Sequence, residues 1–270
     1  MKKYIYILLI GSILSSCSEY QKALNGEDLA AKFSIGEELY NNGKFGKANR
    51  LFAQIVPSYR GKPQAEKLMF LYANSFYNMK DYYTAGYQYD RFASSYPNSE
   101  KREEAEFLSA KSSYMLSPEY GKEQHPTKDA ITKFQLFINS YPDSEYIEEA
   151  NELVRELDGK LEKKAFDIAY QYYKTVEYTR DYNAAIKSFD NFIIEFPGST
   201  LRETALFYRL DAAYKLAMNS VERKKQERLE KAKVYYHSFV NRYANSEHLD
   251  DTKDMLENIE EELKKYSTKS

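Results

Sequence analysis

One register of residues recurs along the chain and limits its fold more than any other feature. The turns Tyr96-Pro97-Asn98-Ser99, Tyr141-Pro142-Asp143-Ser144 and Phe196-Pro197-Gly198-Ser199 share a form, and Tyr243-Ala244-Asn245-Ser246 is a degenerate copy. Twelve residues before each Pro, or before Ala244, stands an alanine: Ala85, Ala130, Ala185 or Ala232. Aromatic residues follow each alanine four and seven positions on: Tyr89 and Phe92, Phe134 and Phe137, Phe189 and Phe192, Tyr236 and Phe239. A shorter first copy runs Gly43-Lys44-Phe45, Ala48, Phe52 and Pro57. Offsets of four and seven lie on one face of a helix, so alanine admits the preceding helix closely and the rings fill the seam. The X-Pro step stops the helix by removing a donor and restricting the residue before it. Ser two residues later is placed to cap the next helix, with acids such as Glu100 and Glu145 favourable in its first turn.

Helix, stop and capped restart describe tandem helical hairpins. The turn prolines Pro57, Pro97, Pro142 and Pro197 are 40, 45 and 55 residues apart, with 47 more to Ala244, against about 34 for a tetratricopeptide repeat. Gly36 to Leu39, Gly43 and Ala48 to Phe52 resemble a first such repeat. Ala73, Phe76, Ala85, Tyr89, Phe92 and Pro97 resemble a second. The excess length falls in a loop from Ser117 to Pro126, in extra helix over 145–164, and in a Lys-, Arg- and Glu-rich stretch over 219–230. The expected fold is all-α, with tetratricopeptide-like hairpins stacked in a right-handed superhelical solenoid, because a lone hairpin cannot bury its apolar face. Repeats 1 to 3 occupy 28–144, repeats 4 and 5 with the extra helix occupy 145–246, and a final helix and tail cover 247–270. On the tetratricopeptide template the groove is lined by Phe33, Tyr40, Phe70, Asn74, Tyr77, Phe107 and Tyr114. An aromatic stripe at helical spacing is more often core than binding surface, and only its phase relative to Ala73 and Phe76 argues for the groove.

The 39 Lys and Arg are interspersed with 41 Asp and Glu, so no basic face exists for a phosphate backbone and nucleic acid is not an expected partner. The chain has one cysteine and three histidines, His125, His237 and His248, without metal-ligand spacing. No phosphate loop, nucleophile elbow or His-Glu-x-x-His motif is present. Adjacent carboxylates such as Glu103-Glu104, Glu148-Glu149 and Glu260-Glu261 point about 100° apart on a helix, which suits solvated faces better than acid and base pairs. The chain is read as a non-enzyme with no cofactor and no metal.

The N-terminus carries Lys2 and Lys3, an apolar run from Tyr4 to Ile13, then Leu14-Ser15-Ser16-Cys17. This is the layout of a signal peptide. Its last four residues resemble the bacterial lipobox, which implies cleavage after residue 16, a diacylated Cys17 and a tether over 17–27. More than one acyl chain, at about 0.8 kcal/mol per buried methylene, anchors a protein stably without a spanning helix. Ser18 after the cysteine resembles lipoproteins sent to the outer membrane, and Glu19 stands without an acidic cluster, so the periplasmic side is expected.

Lipobox, size, five repeats and the aromatic-proline turns together resemble the BamD family of lipoproteins from the outer-membrane β-barrel assembly machinery. So does the stretch Lys160-Leu161-Glu162-Lys163-Lys164-Ala165-Phe166 through Ala169, Tyr172 and Tyr173, followed by Ala184-Ala185-Ile186. The departures are the degenerate turn at Ala244, a longer link from Tyr173 to Ala185, and a short first repeat. The resemblance implies that the N-terminal repeats bind unfolded outer-membrane β-barrel proteins. It implies that a region near 160–245 docks the periplasmic domains of a BamA-like barrel subunit. The alternative is a periplasmic tetratricopeptide adaptor for envelope or cell-division complexes. A glycan-capturing lipoprotein of the SusD type needs an added domain and Trp platforms, and this chain has no Trp.

Overall fold

The computed structural model describes residues 19–267. Cys17 and the signal-peptide segment lie outside them. The described residues contain no strand. They form α1 (19–25), α2 (Leu29–Asn41), α3 (Phe45–Ile55), a 3-10 helix (Val56–Tyr59), α4 (Ala65–Asn78), α5 (Tyr82–Ser95) and α6 (Arg102–Leu116). After these come α7 (His125–Ser140), α8 (Ile147–Thr179), α9 (Tyr182–Glu195), α10 (Arg202–Met218), α11 (Glu222–Val240) and α12 (Leu249–Ser267). Consecutive helices pair as hairpins, and the second helix of a hairpin packs on the first helix of the next, as α5 on α6 and α9 on α10. This is a tandem tetratricopeptide-like array of helices.

The chain divides into two compact units between Asp158 and Gly159. The boundary falls inside α8, later than the 144/145 division expected from the turns. Extra helix and fourth repeat are one continuous helix of 33 residues, and its first half is held by α6 through Lys111 to Glu149 and Tyr114 to Glu156. The described part of the expected tether is also more than a tether: Tyr20 and Ala23 are buried in the first core with Phe33, Leu39, Phe52 and Ile55.

The alanine register is the packing register. Ala48, Ala85, Ala130, Ala185 and Ala232 are all 0 % exposed, as are Phe52, Tyr89, Phe92, Phe134, Phe189 and Phe239. Tyr236 is the exception and remains half-exposed. In the first hairpin Gly36 plays the small-residue part, since a Cβ there would stand 2.6 Å from the Phe52 ring.

The serine turns repeat in their bonds as well as their sequence. The hydroxyls of Ser99, Ser144, Ser199 and Ser246 accept from the backbone N–H two residues on at 3.0, 3.1, 2.9 and 3.1 Å. Each serine N–H donates to the aromatic carbonyl three residues earlier, and each serine carbonyl accepts from the first residue of the next α-helix. The Ala244 copy makes the same set, so the turn depends on the aromatic and serine positions and not on the proline ring. These α-helices begin three residues after the serine, two residues later than a simple N-cap predicts. True side-chain caps lie elsewhere: Asp28, Asp81 and Asp181 accept from the first-turn N–H groups of α2, α5 and α9. The hairpin turns before α3, α5 and α9 need a left-handed residue, which is Gly43 at φ 72°, Lys80 at 63° and Arg180 at 58°.

Candidate functional site

The first helices of the N-terminal unit, α2, α4 and α6, carry the candidate groove residues, and the structure separates these into three kinds. Phe33 and Phe107 are core, 6 % and 2 % exposed. Phe33 stacks on Tyr59 at 5.7 Å, and Phe107 lies flat on Tyr146 at 4.5 Å while touching Phe134 and Phe137. Neither ring meets a ligand without unpacking, which corrects their expected place in the lining. Phe70 is intermediate: one face packs on Tyr89 and Phe92, and the ammonium of Lys101 stands 5.7 Å from its centroid.

Tyr40, Asn74, Tyr77 and Tyr114 remain half-exposed. Tyr40 sets its ring edge-on to Phe45. Burial raises its hydroxyl pKa, and the Glu104 carboxylate adds to this. Tyr77 meets Tyr82 and Tyr89 edge-on; burial again raises its pKa, with smaller influences from Lys111, Tyr82 and Glu149. Tyr114 donates to Glu156 at 2.5 Å, a bond that with burial pushes its pKa up to about 12.

Asn74 has a structural duty. Its Oδ1 accepts from the hydroxyl of Tyr89, which is 0 % exposed and otherwise without an acceptor. A buried phenol needs such a partner. The bond fixes the Asn74 amide.

Sequence reasoning missed the pairing of the charges on this face. Lys67 pairs with Glu37 across α4 and α2, Lys101 with Glu104 at 2.7 Å, and Lys111 with Glu149 at 2.6 Å. Their signal was available, because Glu37, Lys67, Glu104 and Lys111 each stand three residues before Tyr40, Phe70, Phe107 or Tyr114, and i,i+3 neighbours share a helix surface. The face therefore offers tyrosine rings and hydroxyls bordered by paired charges, suited to holding a polypeptide by apolar contact and hydrogen bonds. Among the described residues no group of His, Cys, Asp and Glu is arranged to hold a metal ion, and no helix is long and apolar enough to cross a membrane.

The fold defines an all-α helical-repeat protein. The family model described as outer membrane lipoprotein (YfiO) matches residues 27–179 and 159–269, and the chain belongs to this family, in which the BamD proteins fall. An outer membrane protein assembly factor BamD of Pasteurella multocida is 22 % identical over 237 residues, covering 83 % of this chain and 88 % of that one. A protein of Aquifex aeolicus, provisionally named as the same factor, is 26 % identical over 230 residues, covering 84 % of this chain and 72 % of its own.

Proposed function

We propose that this protein is a non-catalytic assembly factor for outer-membrane β-barrel proteins, anchored through an acylated Cys17 and facing the periplasm. Family membership and the names of the two relatives support the role. The observation that carries the mechanism is the half-exposed set of tyrosines on α2, α4 and α6, with Tyr40, Tyr77 and Tyr114 presenting part of their rings beside paired charges. An unfolded barrel segment alternates apolar and polar side chains. Lying across this face it gains ring contact from one set and hydrogen bonds from the other, while tyrosine gives up little rotamer freedom. The C-terminal unit, over roughly 160–245, is the docking half for the periplasmic domains of a BamA-like barrel subunit.

A photo-crosslinking residue at position 77 tests the client face. Capture of unfolded barrel precursors, lost when Tyr40 and Tyr114 are both changed to alanine, is the expected result; capture undiminished in that variant rejects the face. Mild-detergent purification of the tagged full chain should recover a barrel protein with periplasmic domains in equal amount. Recovery of cell-division partners alone would instead favour an envelope adaptor. Cys17→Ala should abolish acyl labelling and release the protein from the membrane fraction, and unchanged retention rejects the anchor.

A further inference from the structure

Acidic and basic side chains are mixed along most of the chain, but one stretch departs from this. From residue 39 to residue 65 the sequence holds Lys44, Lys47, Arg50, Arg60 and Lys62 and no Asp or Glu, which corrects for this stretch the even interspersion of charge read from the whole. All five side chains are exposed, and none has a carboxylate partner among the described residues. The next cation along, Lys67, already pairs with Glu37.

Helix α3 turns part of this run into a stripe. Its core face is Ala48, Leu51, Phe52 and Ile55. Lys44 at its N-cap, Lys47 and Arg50 follow one another three residues apart on the side left outside, and such neighbours share a helix surface. The ammonium of Lys47 stands 5.1 Å from the ring centroid of Tyr20 in α1, and Tyr20 is buried in the first core. A ring holds an ammonium without neutralising it, so the stripe keeps its charge. Tyr20 lies three residues after Cys17, a span of at most about 11 Å. Whatever is attached to that cysteine therefore starts beside the stripe.

We infer that Lys44, Lys47 and Arg50 rest on the anionic phospholipid headgroups of the leaflet that holds the anchor, so that the first hairpin is oriented on the membrane as well as tethered to it. The inference rests on the acylation of Cys17. Acyl chains supply retention; they do not choose which side of the hairpin meets the surface. A row of unpaired cations does, because each is drawn to anionic headgroups within a Debye length. An acidic protein segment would feel the same attraction, but a membrane bound through Cys17 is already within reach of Lys47.

The test floats the mature chain from residue 17, carrying Cys17→Ala, with vesicles of phosphatidylcholine alone or mixed with phosphatidylglycerol. Binding to the mixed vesicles only, falling as salt is added, is the expected result. Lys44→Gln, Lys47→Gln and Arg50→Gln together should weaken it at least about tenfold, since one cation near an anionic surface is worth about fivefold. Lys128→Gln, Lys187→Gln and Lys224→Gln, at exposed positions elsewhere, change the net charge equally and should alter binding less than about twofold. Should the stripe variant lose its helical circular dichroism spectrum, Arg50→Gln alone is to weaken binding at least about threefold. In a second measurement Cys17, the chain's one cysteine, is coupled to a maleimide-bearing lipid, which supplies an anchor without cellular acylation. Acetylation of Lys44 and Lys47 should then slow at least about threefold on phosphatidylglycerol vesicles relative to phosphatidylcholine, with Lys224 unchanged. Equal binding to both vesicles, equal loss in the two triple variants, or unslowed acetylation of the tethered stripe overturns the inference. So does binding to an acidic polypeptide with none to vesicles, which assigns the stripe to a protein partner. Neither measurement uses the cell's acylation, so failure of the stripe on vesicles and failure of acyl labelling in the cell are separate results.

Discussion

The second and fourth hairpins, one in each unit, can be compared residue by residue because their second helices are numbered one hundred apart. Asp81 and Asp181 cap, Lys80 and Arg180 turn left-handed, Ala85 and Ala185 are buried, and Ser99 and Ser199 make the same bonds. Ser99 also donates to Glu66 at 2.5 Å and Ser199 to Glu162 at 2.7 Å. Across the seam Phe70 meets Phe92 at 5.3 Å and Phe166 meets Phe192 at 5.5 Å. The pair parts at one oxygen, Tyr89 against Phe189. The buried Tyr89 hydroxyl requires Asn74; Phe189 requires nothing, and the place of Asn74 is taken by Tyr170, which packs on Tyr208 at 4.9 Å. Tyr77 and Tyr173 diverge likewise. Tyr173 donates to Asp211, whereas position 111 is a lysine engaged by Glu149. A polar residue on the first-helix face can therefore serve a buried neighbour, as Asn74 does, and only those that serve none, Tyr40, Tyr77 and Tyr114, speak for a ligand.

The largest effect expected from this comparison is in the seam. Phe92→Ala and Phe192→Ala should each cost about 3–5 kcal/mol, with native-state hydrogen exchange showing the loosening confined to the variant's own unit. Protection lost equally in both units would contradict the division at Asp158 and Gly159. Next comes the single oxygen. Phe189→Tyr buries a hydroxyl with no acceptor and should cost about 1–3 kcal/mol, while Tyr89→Phe gives up one hydrogen bond and about 1 kcal/mol. Denaturant melts giving the reverse order would remove the assigned role of Asn74.

A smaller change of opposite sign belongs to the hairpin turns. Lys80→Gly and Arg180→Gly relieve a left-handed L-residue and should each stabilise by about 0.5–1 kcal/mol, part of the relief being offset by the freer unfolded chain. A loss in thermal or urea denaturation would show that the lysine or arginine side chain earns its position otherwise. Last is titration. Tyr114 and Tyr173 are both raised from 10.0 to about 12, the first chiefly by its bond to Glu156 and the second chiefly by burial, then Asp211. Glu156→Gln should accordingly move its tyrosine down further than Asp211→Asn does, read by ultraviolet difference titration. Because the folded values are raised, their contribution to stability is complete below the ordinary tyrosine range and fades as pH climbs toward about 12.

Much of the candidate face was legible because its rings share the helical phase that also marks the core, and the same fact explains what was misread. Phe33 and Tyr40 are seven residues apart, as are Phe107 and Tyr114, and in each pair the phenylalanine is buried and the tyrosine half-exposed. Phase selects a face; it does not say how far along the helix the next hairpin reaches. The sequence reading leaves Glu104 and Glu149 on solvated faces and passes over Lys111, because a charge on a helix surface has no meaning until another helix brings its partner.

By itself the sequence determined the hairpins, since alanine at the crossing, rings at four and seven, and an aromatic-to-serine turn are local or one-face properties with short-range physical causes. The Ala244 copy, a departure in sequence, turns like the others in the structure, because the bonds run between the aromatic carbonyl, the serine and the backbone. Tertiary structure alone decided where the units divide, that α1 joins the first core, and that Asp90 is met by Lys133 of α7 whereas Asp190 is met by Arg209 of α10. Those outcomes depend on side chains from three helices meeting in space, and no single stretch of chain carries that information.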